Sequence, residues 1–243
     1  LNGAGQKNIE TKTPSWEDEL WSYLSSGDGI HCPTYKSCQI RKKKAGCFSE
    51  NEKVFQLLHE FVDKDELKIN DSFSLQFKLP TCPESGRIFE LVRRLAHIYV
   101  EDAEITHPPV PTNLITHVNG DIPIEVRRVP LKAYRGAVWH LNNRWIVQLN
   151  SNDSTARQRF SLYHEIFHIL AHSKATPVFK KVGCQREGSF NEMLADHFSA
   201  ACLVPEILVR KTWPLVKDMN KMTELFDVPV PIMWLASRLM HLT

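Results

Sequence analysis

Three residues in the run Ala156 to His172 have the types and spacing for metal-assisted hydrolysis: His164, Glu165 and His168. On a helix, with about 100° between successive residues, imidazoles at i and i+4 lie one above the other and can both reach a single ion. The glutamate between them faces the same side without joining the coordination sphere, as a general base must. Phe160, Tyr163, Ile166, Phe167, Leu170 and Ala171 fall on one broad apolar stripe, and His164, Glu165, His168 and His172 share a polar wedge. Such a helix is expected to be buried on one side and wet on the other, and a buried polar wedge needs a purpose.

A catalytic zinc site requires a third protein ligand and a fourth position left open. Asn191 to Pro205 supplies a second helix in which Glu192 and Asp196 are again i and i+4. Glu192 can be the third ligand, and Asp196, one turn on, can accept the free N–H of a ligand histidine. Glu187, His172 and His197 are rival third ligands; His172 also suits the C-terminal end of its helix, where a donor or cation meets the helix dipole. Tyr134, His140 and Tyr163 are candidates, by residue type, to stabilise an oxyanion.

Two stretches carry a resemblance: Arg157-x-Arg159-Phe160-Ser161-x-x-His164-Glu165-x-x-His168, and Glu192-x-x-Ala195-Asp196-x-Phe198-x-Ala200-x-x-Leu203-x-Pro205. With the hairpin before them they resemble the ImmA/IrrE metallopeptidases over roughly Arg87 to Pro205. The resemblance implies a zinc-dependent intracellular protease of the gluzincin type, with His164, His168 and Glu192 on zinc and Glu165 as base. It also implies a helix-turn-helix transcriptional repressor as the substrate, in a stress or phage response, with single-stranded DNA or another inducer as a further partner. Where many relatives carry Gly and a second acid, this chain has Phe167 and Leu194, so the shape and charge of its cleft are expected to differ.

The elements that must position these residues follow from pattern. With 243 residues, 42% of them apolar, 24% charged and a net charge of +2, the chain reads as an ordinary globular protein of one large or two small domains. The charge is too small to argue for a partner. No apolar run approaches the ~18 residues of a membrane span and no signal peptide stands out, so a cytoplasmic protein with no membrane partner is expected. The fold expected is α+β: a zincin-like metallopeptidase domain with a small mixed sheet and an active-site helix, preceded by a Cys-containing, mainly helical module. The corresponding divisions are 1–82, 83–207 and a helical tail, 208–243.

Four of six cysteines, Cys32, Cys38, Cys47 and Cys82, lie in the first third, with His31 nearby. Cytoplasmic cysteine clusters more often hold metal than form disulfides, so a second zinc or an iron–sulfur cluster is one expectation and free buried thiols the other. Between them, Arg41-Lys42-Lys43-Lys44 is a basic run, read as a solvated loop or a contact for nucleic-acid phosphates. Cys184, in the basic linker between His168 and Glu192, could occupy zinc's open position as a regulatory ligand, or be an ordinary loop cysteine.

A helix is expected from the Thr13-Pro14 start through Leu24, a second from the Ser49/Glu52 capping box through Val62, and a strand over Phe73 to Leu79. A long amphipathic helix runs from Pro83 through Tyr99 and ends before Pro108-Pro109-Val110-Pro111. A short helix near Asn113 to Val118 and the Asn119-Gly120 turn lead to strand-like Ile122 to Val129. Tyr134 to Leu141, the Asn142-Asn143 turn and Arg144 to Asn150 make a hairpin, one strand of which could pair with extended substrate. The tail from Asp218 to Leu242 resembles a helix-turn-helix-like segment of relatives, with packing as its first role. The reading from a different class is a sensor or nucleic-acid-binding regulator with a vestigial zinc site, against which the intact Glu165 speaks.

Overall fold

The computed structural model describes residues 15–26, 83–118, 121–132, 135–172 and 189–240. They form an α+β chain with seven helices and a four-stranded mixed sheet: α1 (Trp16–Ser26), α2 (Pro83–Asp102), β1 (His117–Val118), β2 (Ile122–Val129), β3 (Gly136–Leu141), β4 (Arg144–Asn150), α3 (Thr155–His172), α4 (Ser189–Leu203), α5 (Glu206–Val216), α6 (Met219–Phe226) and α7 (Val230–Leu239). No helix among the described residues is long and apolar enough to cross a membrane.

The sheet has the order β1-β2-β4-β3. Asn142 and Asn143 both take positive φ, 49° and 58°, which a two-residue hairpin turn demands and asparagine tolerates. That turn sets the antiparallel register of β3 on β4, from Leu141 against Arg144 to Gly136 against Leu149. The hairpin then inserts β4 beside β2 in parallel, Ile124 against Trp145 through Val129 against Asn150. β4 becomes an interior strand, and its run Trp145, Ile146, Val147 and Leu149 is buried. β3 is left at the end of the sheet, and no other described strand pairs with its outer edge.

α3 lies on this hairpin. Its start is capped by Ser154, whose hydroxyl accepts from the Arg157 N–H at 3.4 Å, in the usual manner of a serine at a helix N-terminus. Its apolar stripe enters the core as patterned: Phe160, Tyr163, Ile166, Phe167 and Ala171 are buried and Leu170 partly so, in one cluster with Trp145, Val147 and Leu149 of β4. α4 packs between α3 and α2, with Phe198 against Phe167 (ring centroids 5.4 Å apart) on one side and Phe190 against Phe89 (6.2 Å) on the other, and α1 lies against α2. Each such aromatic or leucine side chain removed from water stabilises the fold by about 1.5–3 kcal/mol.

Two polar clamps hold α3 from its far side. The buried Arg159 donates to the carbonyls of Val110 (2.6 Å) and Asp227 (3.1 Å) and pairs with the Asp227 carboxylate at 3.2 Å. Tyr163, fully buried, donates its hydroxyl to the carbonyl of Pro111. The tail bears out its packing role, with Met222, Phe226, Val228, Ile232, Met233 and Ala236 buried in the shared core.

Some expectations change. The segment 113–118 is not a helix: His117–Val118 is strand β1, paired antiparallel with Pro123 and Ile122, and the Thr116 carbonyl accepts from Ile124 N–H. Pairing with the sheet edge takes the backbone groups a helix would have used. α1 begins at Trp16 with a capping box between Ser15 and Asp18; the expected start at Thr13 and Pro14 lies outside the described residues. The helix through Val62 and the strand over 73–79 also lie outside them.

Candidate metal centre

Helix periodicity places His164 and His168 one turn apart on the face of α3 that meets α4. Their Nε2 atoms are 3.0 Å apart. From α4, Glu192 brings one carboxylate oxygen to 3.1 Å from His164 Nε2 and the other to 3.4 Å from His168 Nε2. Tetrahedral zinc with bonds of about 2.0–2.1 Å keeps its ligand atoms about 3.3 Å apart, so two imidazole nitrogens 3.0 Å apart, each with a Glu192 oxygen at 3.1 or 3.4 Å, suit one such ion. Among the described residues these three side chains form the group able to hold a metal. The histidine side chains are 12% and 16% exposed and Glu192 47%, so the group meets solvent mainly on the Glu192 side.

Asp196, one turn after Glu192, stands behind His164. Its carboxylate is 2.8 Å from His164 Nδ1 and is itself buried. An ionised carboxylate only accepts, so Nδ1 carries a proton and the Nε2 lone pair of the neutral ring is left facing His168 and Glu192. Without a metal, the second nitrogen is protonated as well. Burial alone would lower the His164 pKa, but Asp196 and Glu192 outweigh it and hold it well above the ordinary imidazole value. For Glu192, desolvation is outweighed by His168 and His164, and its carboxyl stays well below the usual range. Such a group exchanges protons for a cation.

Glu165, not one of the three donors, is close enough to His164, His168 and Glu192 to feel their charges. Burial pushes its carboxyl upward, against the pull of His164 and His168. Its surroundings include a residue whose importance the pattern of side-chain types concealed. A Cβ built on Gly136, the first residue of β3, would lie 2.8 Å from Glu165 Oε1, 3.2 Å from its Cγ and 3.4 Å from its Cδ. The signal was present, because a glycine inside a strand often marks a close approach.

The other candidates go elsewhere. His197 is buried on the side of α4 that faces α2: its Nε2 is 3.1 Å from the Phe89 carbonyl, its ring packs on Phe89, and burial pushes its pKa down to about 4. His172 packs its ring against Trp145, with centroids 4.9 Å apart, and His140 covers Trp145 from β3 at 4.6 Å. Tyr163 is removed from the oxyanion candidates, because its hydroxyl is committed to Pro111 on the far side of α3. Phe167 and Leu194, where a changed cleft was expected, are fully buried in the core. Cys32, Cys38, Cys47, Cys82, Cys184, Glu187, His31, Arg41 to Lys44 and Tyr134 lie outside the described residues.

The family model described as the IrrE N-terminal-like domain of M78 peptidases matches residues 119–232. That span contains the sheet from β2 onward, α3, α4 and the first two tail helices. No curated protein matches the chain. Among solved structures, a Mycobacterium tuberculosis transcriptional regulator is similar at 10% identity with a TM-score of 0.41, over 58% of this chain and 44% of that one. The chain thus aligns with less than half the length of that regulator.

Proposed function

We propose that the chain, whose residues 119–232 match the IrrE N-terminal-like domain of M78 peptidases, is a zinc-dependent endopeptidase of the gluzincin type, akin to the ImmA/IrrE family, that cleaves a helix-turn-helix transcriptional repressor. The observation that carries this reading is the convergence of His164, His168 and Glu192 within ligand spacing, with Glu165 beside them and Asp196 behind. The three donors would hold zinc and leave one position open. When bound, zinc supplies the Lewis acidity that acidifies a water and polarises a peptide carbonyl.

The side chains of this protein supply the rest. Glu165 takes a proton from the attacking water and returns it to the leaving amine. Its upward-shifted carboxyl suits both halves of that exchange, since a base works best with a pKa near the working pH. Asp196 holds the His164 ring in the tautomer that presents Nε2. The free outer edge of β3 begins beside Glu165 and offers backbone groups on which an extended substrate segment can lie as an added strand. Cutting a repressor between its DNA-binding and dimerising parts separates two half-site contacts and so lowers operator affinity sharply. The cysteines Cys32, Cys38, Cys47 and Cys82 would receive the regulatory input, through a second zinc or an iron–sulfur cluster, and Cys184 could modulate the open position; metal analysis of the full chain tests the first and Cys184→Ser the second.

The test is to mix the zinc-loaded chain with the helix-turn-helix repressor encoded beside its gene, with and without chelator and single-stranded DNA. A single specific cut, abolished by chelator, is expected. Glu165→Gln should retain one equivalent of zinc while cleavage falls by about 10²–10⁴-fold. A Glu165→Gln variant with full activity removes Glu165 from the mechanism, and hydrolysis of unrelated peptides without any cut in the repressor removes the repressor assignment. Salt-dependent DNA binding with no hydrolysis of any partner would favour the alternative, a regulator with a vestigial centre.

A further inference from the structure

Glycine occurs inside a strand for one of two reasons: a backbone conformation that other residues avoid, or the need for empty space where a Cβ would stand. Gly136 does not adopt the positive φ that would demand glycine, and it sits in regular antiparallel register against Leu149. An alanine could therefore adopt its backbone. The space is another matter, because the three nearest atoms that a Cβ at 136 would meet all belong to Glu165, and the nearest, Oε1, would be at 2.8 Å.

We infer that Gly136 is the positioning residue for the general base: the missing side chain on β3 is the slot into which the Glu165 carboxylate is seated beside the metal ligands. This deepens the proposed function and rests on it for the role of Glu165. What a Cβ meets is the mobile end of a side chain rather than backbone, so the fold can accommodate alanine by letting the carboxylate swing away. The two effects of Gly136→Ala then have opposite signs. The strand loses a flexible residue and is no less stable, whereas the carboxylate leaves its seat, and a displacement of about 1 Å of a catalytic group can cost about 10²-fold in rate. His164, His168 and Glu192 are untouched by the change, so metal binding stays.

The experiment compares wild type, Gly136→Ala and Glu165→Gln as full chains loaded with zinc. Crystal structures, zinc content, Tm, and kcat and KM on the best-cut member of a quenched-fluorescence peptide library are measured. For Gly136→Ala the inference expects the Glu165 carboxylate moved by about 1 Å or more, stoichiometric zinc, an unlowered Tm, KM within about threefold and kcat down by about 10²-fold. An alanine seated with the Glu165 carboxylate unmoved overturns the inference, and so does a kcat within threefold of wild type. If wild type cuts no peptide at all, the proposed function has failed, and the crystallographic comparison still decides whether residue 136 seats the carboxylate.

Discussion

Asp196 is the place to test whether the donor group is preorganised or assembled by the ion. Its carboxylate, 9% exposed, lies 2.8 Å from His164 Nδ1, a charge-assisted contact with little solvent screening. A hydrogen bond to a charged group contributes about 1.5–3 kcal/mol, against about 0.5–1.5 kcal/mol for a neutral pair. Asp196→Asn keeps an accepting oxygen and removes only the charge, so it should weaken zinc binding by about 1–1.5 kcal/mol, roughly tenfold in Kd. Asp196→Ala removes the whole contact and frees the ring to present the other nitrogen, so it should cost roughly 10–100-fold. Competition titrations against a chromophoric chelator at fixed pH measure both. The order wild type, Asn, Ala is the signature of a carboxylate that sets a tautomer. An alanine variant binding zinc within twofold of wild type, or an asparagine variant weaker than alanine, would refute the reasoning.

Two further outcomes are expected. In chelator, the His164 contribution to stability is full below its ordinary value of about 6.5 and lost as pH rises through its raised folded value, while that of Glu192 is full above about 4.3 and lost as pH falls through its depressed one. The Tm of the metal-free protein should therefore fall as pH rises beyond about 6.5, and the Tm of the zinc-loaded protein should stay level over the same interval, because its ligand histidines are unprotonated both in the zinc-bound fold and, above that pH, in the unfolded chain; a pH-independent metal-free Tm there would contradict the paired-charge description. Tyr163→Phe should leave kcat unchanged and lower stability by roughly 1–2 kcal/mol, because the Pro111 carbonyl loses its buried donor; reduced kcat with intact zinc would restore Tyr163 as a group acting on the substrate.

What could be read in advance divides along range of interaction. α2, the hairpin and α3 were legible because capping, turn chemistry and the periods of 2 and 3.6 residues are local rules, and Asn142-Asn143 alone announces β3 and β4. Segment 113–118 differs from the expectation because Leu114, Ile115 and Val118 suit several local patterns, and it is the pairing across the next turn, with Ile122 and Ile124, that makes its end a strand. The parallel pairing of β2 with β4 joins residues 21 apart, from Ile124 to Trp145, beyond the reach of local pattern. At the metal centre, the shared face of His164 and His168 follows from spacing. That Glu192 comes to them while His197, on the same helix, turns to Phe89 depends on how α4 is rotated between α3 and α2. Gly136 was visible as a residue, but its meaning required knowing that Glu165 lay across from it.

The grip of Arg159 on Asp227 bears on how this protein can be divided. Asp227 belongs to the turn between α6 and α7, and Arg159 lies on α3 only five positions before His164, so one guanidinium joins the metal-bearing helix to a segment that sequence pattern assigns to a separable tail. A fragment ending after α4 would retain every candidate ligand and yet leave that buried cation without its carboxylate, at the root of the helix that aims the histidines. Anyone trimming the chain to a minimal peptidase, or fusing another domain in place of the tail, should therefore keep the chain at least through the α6–α7 turn and expect metal affinity, more than solubility, to report a cut made too early.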